Sequence, residues 1–553
     1  MYSNKKNVNI LTYLLAAHGI KHVVVCPGSR NAPIVHNLNE HPSISCHAAT
    51  DERSAGFYAL GMALEQRCMV AVCVTSGSAM LNVAPAVAEA FYQHVPLVVI
   101  TADRPRQWIG QLDGQTMPQS GGFGCFVKRS VNLPEPTCEE EEWFCNRLVN
   151  EALCIASHPD EGPVQINVPI TEPLFGFDTP ELPRQRVFSV ALCLPCSPGI
   201  GCISDLLAAS RRTMFVFGQM PNGVIDDGVR RSLSSCFVML AEPLSHDNCD
   251  RAGIDEAVEA IGNDPNAVPY LVVYAGGTIV SKRLRHYLRR TGAETVLLAA
   301  DGTNISDPTM HLARVVECGS QDGIKRFLGQ MAEHGGEPND KVFNGVWHEA
   351  LDKASLHAAA FEPCYSQMSA VKCFESRFNS IAGKAEVHYA NSTAIRLACI
   401  YAKHYVWCNR GLNGIEGSLS AAAGFSITTG RLVFCVIGDL SFFYDQNALW
   451  NQSLRGNFRI LLLNNHTGGI FGMLPGLDKS PAEKCYVSAS HTTNAKGICL
   501  QCGISYMSAH NADEMERGMS ALMAEEAECP MLLEVFTEAE TDNNEMKKYY
   551  KQN

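Results

Sequence analysis

Val436–Asn465, VIGDLSFFYDQNALWNQSLRGNFRILLLNN, is the stretch that decides the fold. It reads as a buried strand over Phe434 to Ile437, a turn carrying Gly438-Asp439-Leu440, an amphipathic helix, a second buried strand over Ile460 to Leu463, and then Asn464-Asn465. That order is a βαβ unit, and its crossover delivers both turns to the same carboxyl edge of a parallel sheet. Asp439 and Asn465 can therefore meet although they are 26 positions apart. One carboxylate, one amide oxygen and a nearby backbone carbonyl suit a hard divalent cation that keeps a water and takes further oxygens from a diphosphate. A lone Gly-Asp turn is ordinary turn chemistry. The paired asparagines at the next strand end are what make it a candidate metal–diphosphate site.

Upstream, Asn9 to His18 has apolar residues at helical spacing, and Gly19 ends it before a strand at His22 to Cys26. The turn CPGSRNAP then puts Ser29 and Arg30 at a helix start, where a hydroxyl and a guanidinium make an anion site. A short strand at His47 to Thr50 leads into DERSAGFYALGMAL, in which Glu52 fronts a helix of small residues. Small residues let a backbone or a flat ring come close. A carboxylate on such a surface is poorly solvated and suited to share a proton with a heterocyclic nitrogen; the plainer alternative is a helix cap by Asp51 or Glu52. Val70 to Thr75 and Pro96 to Ala102 are continuous apolar strands, ending at Thr75-Ser76-Gly77 and at Thr101-Ala-Asp-Arg104-Pro105. Their lack of alternation implies a parallel sheet covered on both faces, which Val164 to Val168 closes. Asp103 anchors its turn, Arg104 points into the same edge, and Gln115 lies in the Gly-rich loop beyond.

Pro169 to Pro198 holds six prolines and reads as a linker. A second α/β unit follows, with strands at Thr213 to Phe217, Phe237 to Leu240, Leu271 to Tyr274, Thr295 to Ala299 and Ala313 to Glu317, and a basic helix from which Lys282 can reach a shared site. A third begins near Asn339. There Asn391, Ser392 and Arg396 open one helix, and Arg410, Gly414 and Ile415 lie in a Gly-rich loop before a second small-residue helix, the counterpart of the Glu52 helix. After Asn465 come Thr467, Gly468 and Gly469, and Ile470, Phe471 and Leu474 form an apolar lid.

A length of 553 residues allows three domains. Lys plus Arg total 44 against 57 Asp plus Glu, a formal charge of -13, which argues against nucleic acid and anionic membranes as partners. No run of 18 apolar residues occurs and the opening residues lack a signal-peptide pattern, so a cytoplasmic protein is expected. Many of the 23 cysteines sit in apolar runs and read as reduced core residues. The CxxC pairs Cys193/Cys196 and Cys499/Cys502 each hold half a zinc ligand set and lie far apart, so they read as coincidental.

The GD turn followed by NN resembles the cofactor signature of thiamine diphosphate (ThDP) enzymes, with Leu440 where Gly is usual. The succession SR, DER, TSG, TADRP, NSTAIR, NRGLNGIEG, GDLSFFYDQNAL, NN and GGIFGMLP resembles, across the chain, the 2-succinyl-5-enolpyruvyl-6-hydroxy-3-cyclohexene-1-carboxylate synthase family of menaquinone biosynthesis. The resemblance implies three doubly wound parallel-sheet α/β domains of the ThDP enzyme fold: a pyrimidine-binding domain over 1–180, a central domain over 190–335 and a diphosphate-binding domain over 342–553. It implies ThDP with Mg2+ or Mn2+, the ion held by Asp439, Asn465 and the Thr467 carbonyl. Glu52 would pair with the pyrimidine nitrogen and promote its imino form. Thr75, Ser76, Asn391, Ser392, Gly414, Ile415, Gly438, Asp439, Leu440, Ser441, Asn465, Gly468, Gly469 and Ile470 would contact the cofactor, with Ile415 wedged beneath it. The substrates implied are 2-oxoglutarate and isochorismate. Ser392 and Arg396 would face the oxo acid, and Arg30, Arg104, Lys282 and Arg410 the isochorismate, with Ser29 and Gln115 nearby and Ile470, Phe471 and Leu474 as cover. Sites shared between chains imply a homodimer or a dimer of dimers. Two alternatives are another ThDP carboligase or decarboxylase, which has little use for so many cations, and a non-catalytic paralogue, which would be expected to lose Glu52 or Asp439.

Overall fold

The computed structural model describes residues 1–158, 160–190, 200–246, 253–300, 305–334, 338–474 and 476–551. Among these residues sixteen strands form three sheets, and every strand pair within them is parallel. The first holds β1 (His22–Val25), β2 (Ser45–Ala48), β3 (Val70–Val74), β4 (Leu97–Asp103), β5 (Arg129–Asn132) and β6 (Val164–Pro169) in the order β2-β1-β3-β4-β6-β5. The second holds β7 (Thr213–Phe217), β8 (Val238–Ala241), β9 (Leu271–Ala275), β10 (Glu294–Ala299) and β11 (Leu312–Glu317) in the order β11-β10-β9-β7-β8. The third holds β12 (Ala385–Tyr389), β13 (Leu432–Gly438), β14 (Phe458–Asn464), β15 (Ser505–Ala509) and β16 (Met531–Phe536) in the order β12-β13-β14-β16-β15. The central strands β3, β4, β7, β9 and β14 are buried along their whole length, which is why they appear in the sequence as unbroken apolar runs.

Two local expectations change. The strand expected at His47 to Thr50 lies at Ser45–Ala48, because it is an edge strand placed by pairing with β1, His22 opposite Ser45, and not by an apolar pattern of its own. The helix expected after Asp439 is broken into a six-residue turn of α-helix, Asp439–Tyr444, and a 3-10 turn, Gln446–Leu449. The break falls at Asp445, whose buried carboxylate accepts from the backbone N–H and the hydroxyl of Ser420, both at 2.7 Å. That carboxylate holds the start of the small-residue helix Ser418–Thr428 and so leaves its own helix.

One apolar core runs from the first sheet into the third, joining Phe57, Tyr58 and Met62 to Leu419, Phe425 and Phe442. Helix Lys341–Ala360 spans the boundary expected near 342: Phe343, Trp347 and Leu351 pack into the core of the second sheet, while Ala358 joins that of the third. Among the described residues no helix is long and apolar enough to cross a membrane.

Candidate active site

β13 and β14 pair with Gly438 opposite Leu463, so the turns that follow them stand side by side. Asp439 is buried; its Oδ1 accepts from Leu440 N at 2.7 Å and its Oδ2 from Thr467 N at 3.2 Å. Asn465 is buried as well, with Nδ2 donating to Asp542 Oδ2 at 2.9 Å. Its Oδ1 has no hydrogen-bond partner among the described residues. A buried amide oxygen left unpaired is costly unless something outside the chain completes it. The Thr467 carbonyl accepts from Gly469 N at 2.9 Å and keeps a second lone pair. These are the mixed oxygen donors a hard cation takes when a diphosphate supplies the rest, and the residues present fit such an ion. His491 Nδ1 accepts from Thr493 N, and its Nε2 stands 3.3 Å from Asp439 Oδ2.

Beside this edge, Asn391 organises the Gly-rich loop. Its Nδ2 donates to Asn409 O at 2.6 Å and to Gly414 O at 2.7 Å, and its Oδ1 accepts from Arg410 Nη1 at 3.0 Å. Ser392, which opens helix Thr393–Tyr401, has φ +75, a left-handed backbone that a side chain rarely adopts and that surrounding structure must enforce. Ile415, in the same Gly-rich loop, stays 39% exposed although it is apolar. A β-carbon on Gly468 would meet the Phe471 ring and Leu440, so the glycine lets the turn Gly469–Met473 lie against the turn that carries Asp439 and Leu440. Ile470 and Phe471 are half-buried and Leu474 is exposed; Gly438, Leu440 and Ser441 line the opposite turn.

The first sheet presents a second set of turns. Asp51 caps helix Glu52–Gln66, accepting from Arg53 N and Ser54 N, which leaves the Glu52 carboxylate free to take Asn82 Nδ2 at 3.0 Å. Thr75 and Ser76 are buried, and Gly77 at φ +82 turns the chain against the backbone of Gln115. Asp103 accepts from Arg104 N and Asn167 Nδ2, each at 2.8 Å, and anchors its turn as expected. Arg30 is buried, with Nη1 donating to Ile170 O and Nη2 to Glu172 Oε1, both at 2.9 Å. Arg104 Nη1 lies 3.6 Å from the same Glu172 oxygen, while Ser29 is exposed. Glu172 was not legible from the sequence.

The central unit contributes Lys282 at the start of helix Lys282–Thr291. The preceding turn is held by Glu242, which accepts from Val280 N at 2.6 Å and Ser281 N at 2.7 Å; burial pushes its carboxyl up to about 7. Lys282 and Arg396 line one cavity of about 230 Å³, walled by Pro243, Ile254, Met546 and Tyr550. Burial lowers the Arg396 pKa, so its charge is poorly solvated there. Arg283, next to Lys282 in the chain, stacks its guanidinium 4.2 Å from the centre of the Tyr550 ring.

The two turn sets are tied within one chain by their flanks. Asn447 Nδ2 donates to Asp51 Oδ2 at 2.7 Å, Arg53 Nη2 to Tyr444 O at 2.8 Å, and the N–H groups of Gly411 and Leu412 to Glu89 at 2.7 Å each. Cys499 is buried and Cys502 half-buried in the third unit, while Cys193 and Cys196 lie outside the described residues.

Residues 6–121 match the family described as "Thiamine pyrophosphate enzyme, N-terminal TPP binding domain", and residues 390–535 match "Thiamine pyrophosphate enzyme, C-terminal TPP binding domain". The X-ray structure of a protein from Mycobacterium smegmatis assigned to the thiamin diphosphate-dependent enzymes superposes with a TM-score of 0.71 at 17% identity, covering 97% of this chain and 100% of that one. Fold and turns thus define a thiamine diphosphate-dependent enzyme. The 2-succinyl-5-enolpyruvyl-6-hydroxy-3-cyclohexene-1-carboxylate synthases of Bacteroides thetaiotaomicron and Phocaeicola vulgatus are 43% and 42% identical, each aligned over 100% of this chain and 99% of the relative. That of Flavobacterium johnsoniae is 31% identical over 98% of this chain and 97% of its own length. The chain belongs to this synthase family.

Proposed function

We propose that the chain decarboxylates 2-oxoglutarate and joins the remaining four-carbon unit to isochorismate, releasing CO2 and forming 2-succinyl-5-enolpyruvyl-6-hydroxy-3-cyclohexene-1-carboxylate for menaquinone biosynthesis in the cytoplasm. The observation that carries this reading is identity above 40% along the whole length of synthases so named, in a chain that keeps Glu52, Asp439 and Asn465. Succinyl is 2-oxoglutarate less one carbon, which makes the oxo acid the fitting donor.

Bound ThDP supplies the electron sink on which a 2-oxo acid can lose CO2. The chain's part is to hold, orient and neutralise. Asp439, the Asn465 Oδ1 and the Thr467 carbonyl are assigned to Mg2+ or Mn2+, with Gly438, Leu440, Ser441, Gly468 and Gly469 beside the diphosphate. Thr75, Ser76, Asn391, Gly414, Ile415 and Ile470 are assigned to the rings, and Glu52 to holding a proton against the pyrimidine nitrogen. Ser392 and Arg396 take the oxo acid. Ser29, Arg30, Arg104, Gln115, Lys282 and Arg410 take isochorismate, since guanidinium forks orient carboxylates as well as neutralise them. Ile470, Phe471 and Leu474 exclude water when the lid turn closes. The pyrimidine side is assigned to 1–180, the central unit to 190–335 and the diphosphate side to 342–553.

We assign these roles to a homodimer with shared sites, or a pair of such dimers. Leu81, Tyr92, Leu412 and Ile415 are all 39% exposed or more, which supports a partner chain over the turns. The decisive experiment is CO2 release from 2-oxoglutarate by the purified protein with ThDP and Mg2+, with and without isochorismate and with pyruvate as control. Release that isochorismate accelerates and that pyruvate does not support is expected. Preference for pyruvate would keep the fold and move the reaction elsewhere.

A further inference from the structure

Asp542 sits near the start of helix Ala539–Lys551 and is 7% exposed. Its Oδ1 accepts from Gln367 N at 2.8 Å, and its Oδ2 accepts from Thr537 Oγ1 at 2.8 Å and from Asn465 Nδ2 at 2.9 Å. A carboxylate so placed is an acceptor on every side. An asparagine amide has nearly the same shape when turned over, so its partners alone decide which end faces which way. The end of Asn465 that meets Asp542 is therefore the NH2, and the opposite end is the oxygen that has no partner among the described residues. Turned over, the same side chain would offer two N–H donors to the place where Asp439 gathers negative charge. A hard cation accepts only the first arrangement.

We propose that Asp542 is a positioning residue for the cation site: it fixes the Asn465 amide so that Oδ1, and never Nδ2, faces the ion. Gln367 and Thr537 hold the carboxylate from two other sides, so it stays in place while it orients its neighbour. This rests on reading Asp439 and Asn465 as cation ligands.

The test is Mn2+ binding by the full chain at saturating ThDP, followed by the paramagnetic resonance signal of free Mn2+. Asp542→Asn offers Asn465 a side chain that either donates or accepts, so the orientation is no longer fixed. The Mn2+ dissociation constant is expected to rise about 10- to 100-fold, as for other groups that orient a metal ligand. Asn465→Asp has an oxygen at both ends and needs no orientation. It is expected to improve binding more in the Asp542→Asn background than in the native one; an equal effect in both means Asp542 merely docks its helix, and the inference falls. Native affinity in Asp542→Asn also overturns it, without touching the cation reading. A native chain that binds no Mn2+ overturns both. If Asp542→Asn fails to fold, a crystal structure of the native chain with Mn2+ decides: Asn465 Oδ1 on the metal with Nδ2 on Asp542 is required, and loss of that contact rejects the assignment.

Discussion

Gly61 and Ala421 meet backbone to backbone: a β-carbon placed on Gly61 would stand 1.9 Å from the Ala421 carbonyl oxygen. The contact is reciprocal, since one on Gly424 would stand 2.2 Å from the carbonyl oxygen of Tyr58. Helices Glu52–Gln66 and Ser418–Thr428 thus touch without side chains between them, and this closeness locks the Glu52 turn to the loop that carries Arg410 and Ile415. The small residues of both helices have a packing use before any catalytic one.

Gly424→Ala should accordingly destabilise the chain. Backbone must shift to admit the methyl group, and overpacking of this kind costs about 1–3 kcal/mol. Gly497→Ala is the control, because helix Lys496–Cys502 leaves open space around that position and alanine favours helix by about 0.5–1 kcal/mol. Urea melts of the two variants should move in opposite directions; a Gly424→Ala melt at or above the native midpoint would contradict the close approach.

Glu52→Gln should keep the fold, since Asp51 supplies the helix cap and glutamine can still meet Asn82. It removes the proton-holding group proposed for the cofactor ring, a kind of contribution typically worth about 10²- to 10⁴-fold in rate. The expected result is a fall of that size in kcat with ThDP still bound by calorimetry. Turnover near the native value would remove Glu52 from the reaction.

The sequence made the sheets legible where strands are buried on both faces, as at Val70–Val74 and Phe458–Asn464, because burial on two sides writes an unbroken apolar run. It did not reveal β5 or β15, edge strands whose residues are largely half-buried or exposed, nor did it mark the buried strand β16, which lies beyond the last element read. Asp439 and Asn465 could be singled out because the crossover sets the ends of β13 and β14 side by side. Asp542, Glu172 and Glu242 could not be: Asp542 reaches Asn465 across 77 positions and Glu172 reaches Arg30 across 142, and no local spacing announces either pair. The residues proposed as cation ligands follow strand ends, which have a pattern. Those that hydrogen-bond to them come from anywhere in the chain.

Arg396→Ala should separate the substrates. Its guanidinium lines the cavity with Lys282, and a charge-assisted hydrogen bond is worth about 1.5–3 kcal/mol, or roughly 10- to 100-fold in affinity. KM for 2-oxoglutarate should rise by that factor while the ThDP requirement stays where it is. An equal rise in both would place Arg396 in the framework of the site and not at the oxo acid.

Glu242 makes stability depend on pH in a stated direction. Burial is the main cause of its raised pKa, about 7 against an ordinary 4.5, and the N–H groups of Val280 and Ser281 offset only part of it. Below the unfolded value both states carry the proton and nothing is lost. Between about 4.5 and 7 the unfolded chain has released it while the fold retains it, so each pH unit costs this group's share of stability on the order of 1.4 kcal/mol. Above about 7 both states are ionised and the loss levels off. Glu242→Gln cannot titrate, and its amide serves only one of the two N–H groups, so the variant should be less stable at acidic pH yet flatter between pH 5 and 7. Because those N–H groups belong to the turn that presents Lys282, the same variant should also raise KM for isochorismate. Urea midpoints taken across that interval decide the first point: a variant whose midpoint falls as steeply as the native one assigns the pH dependence to other groups.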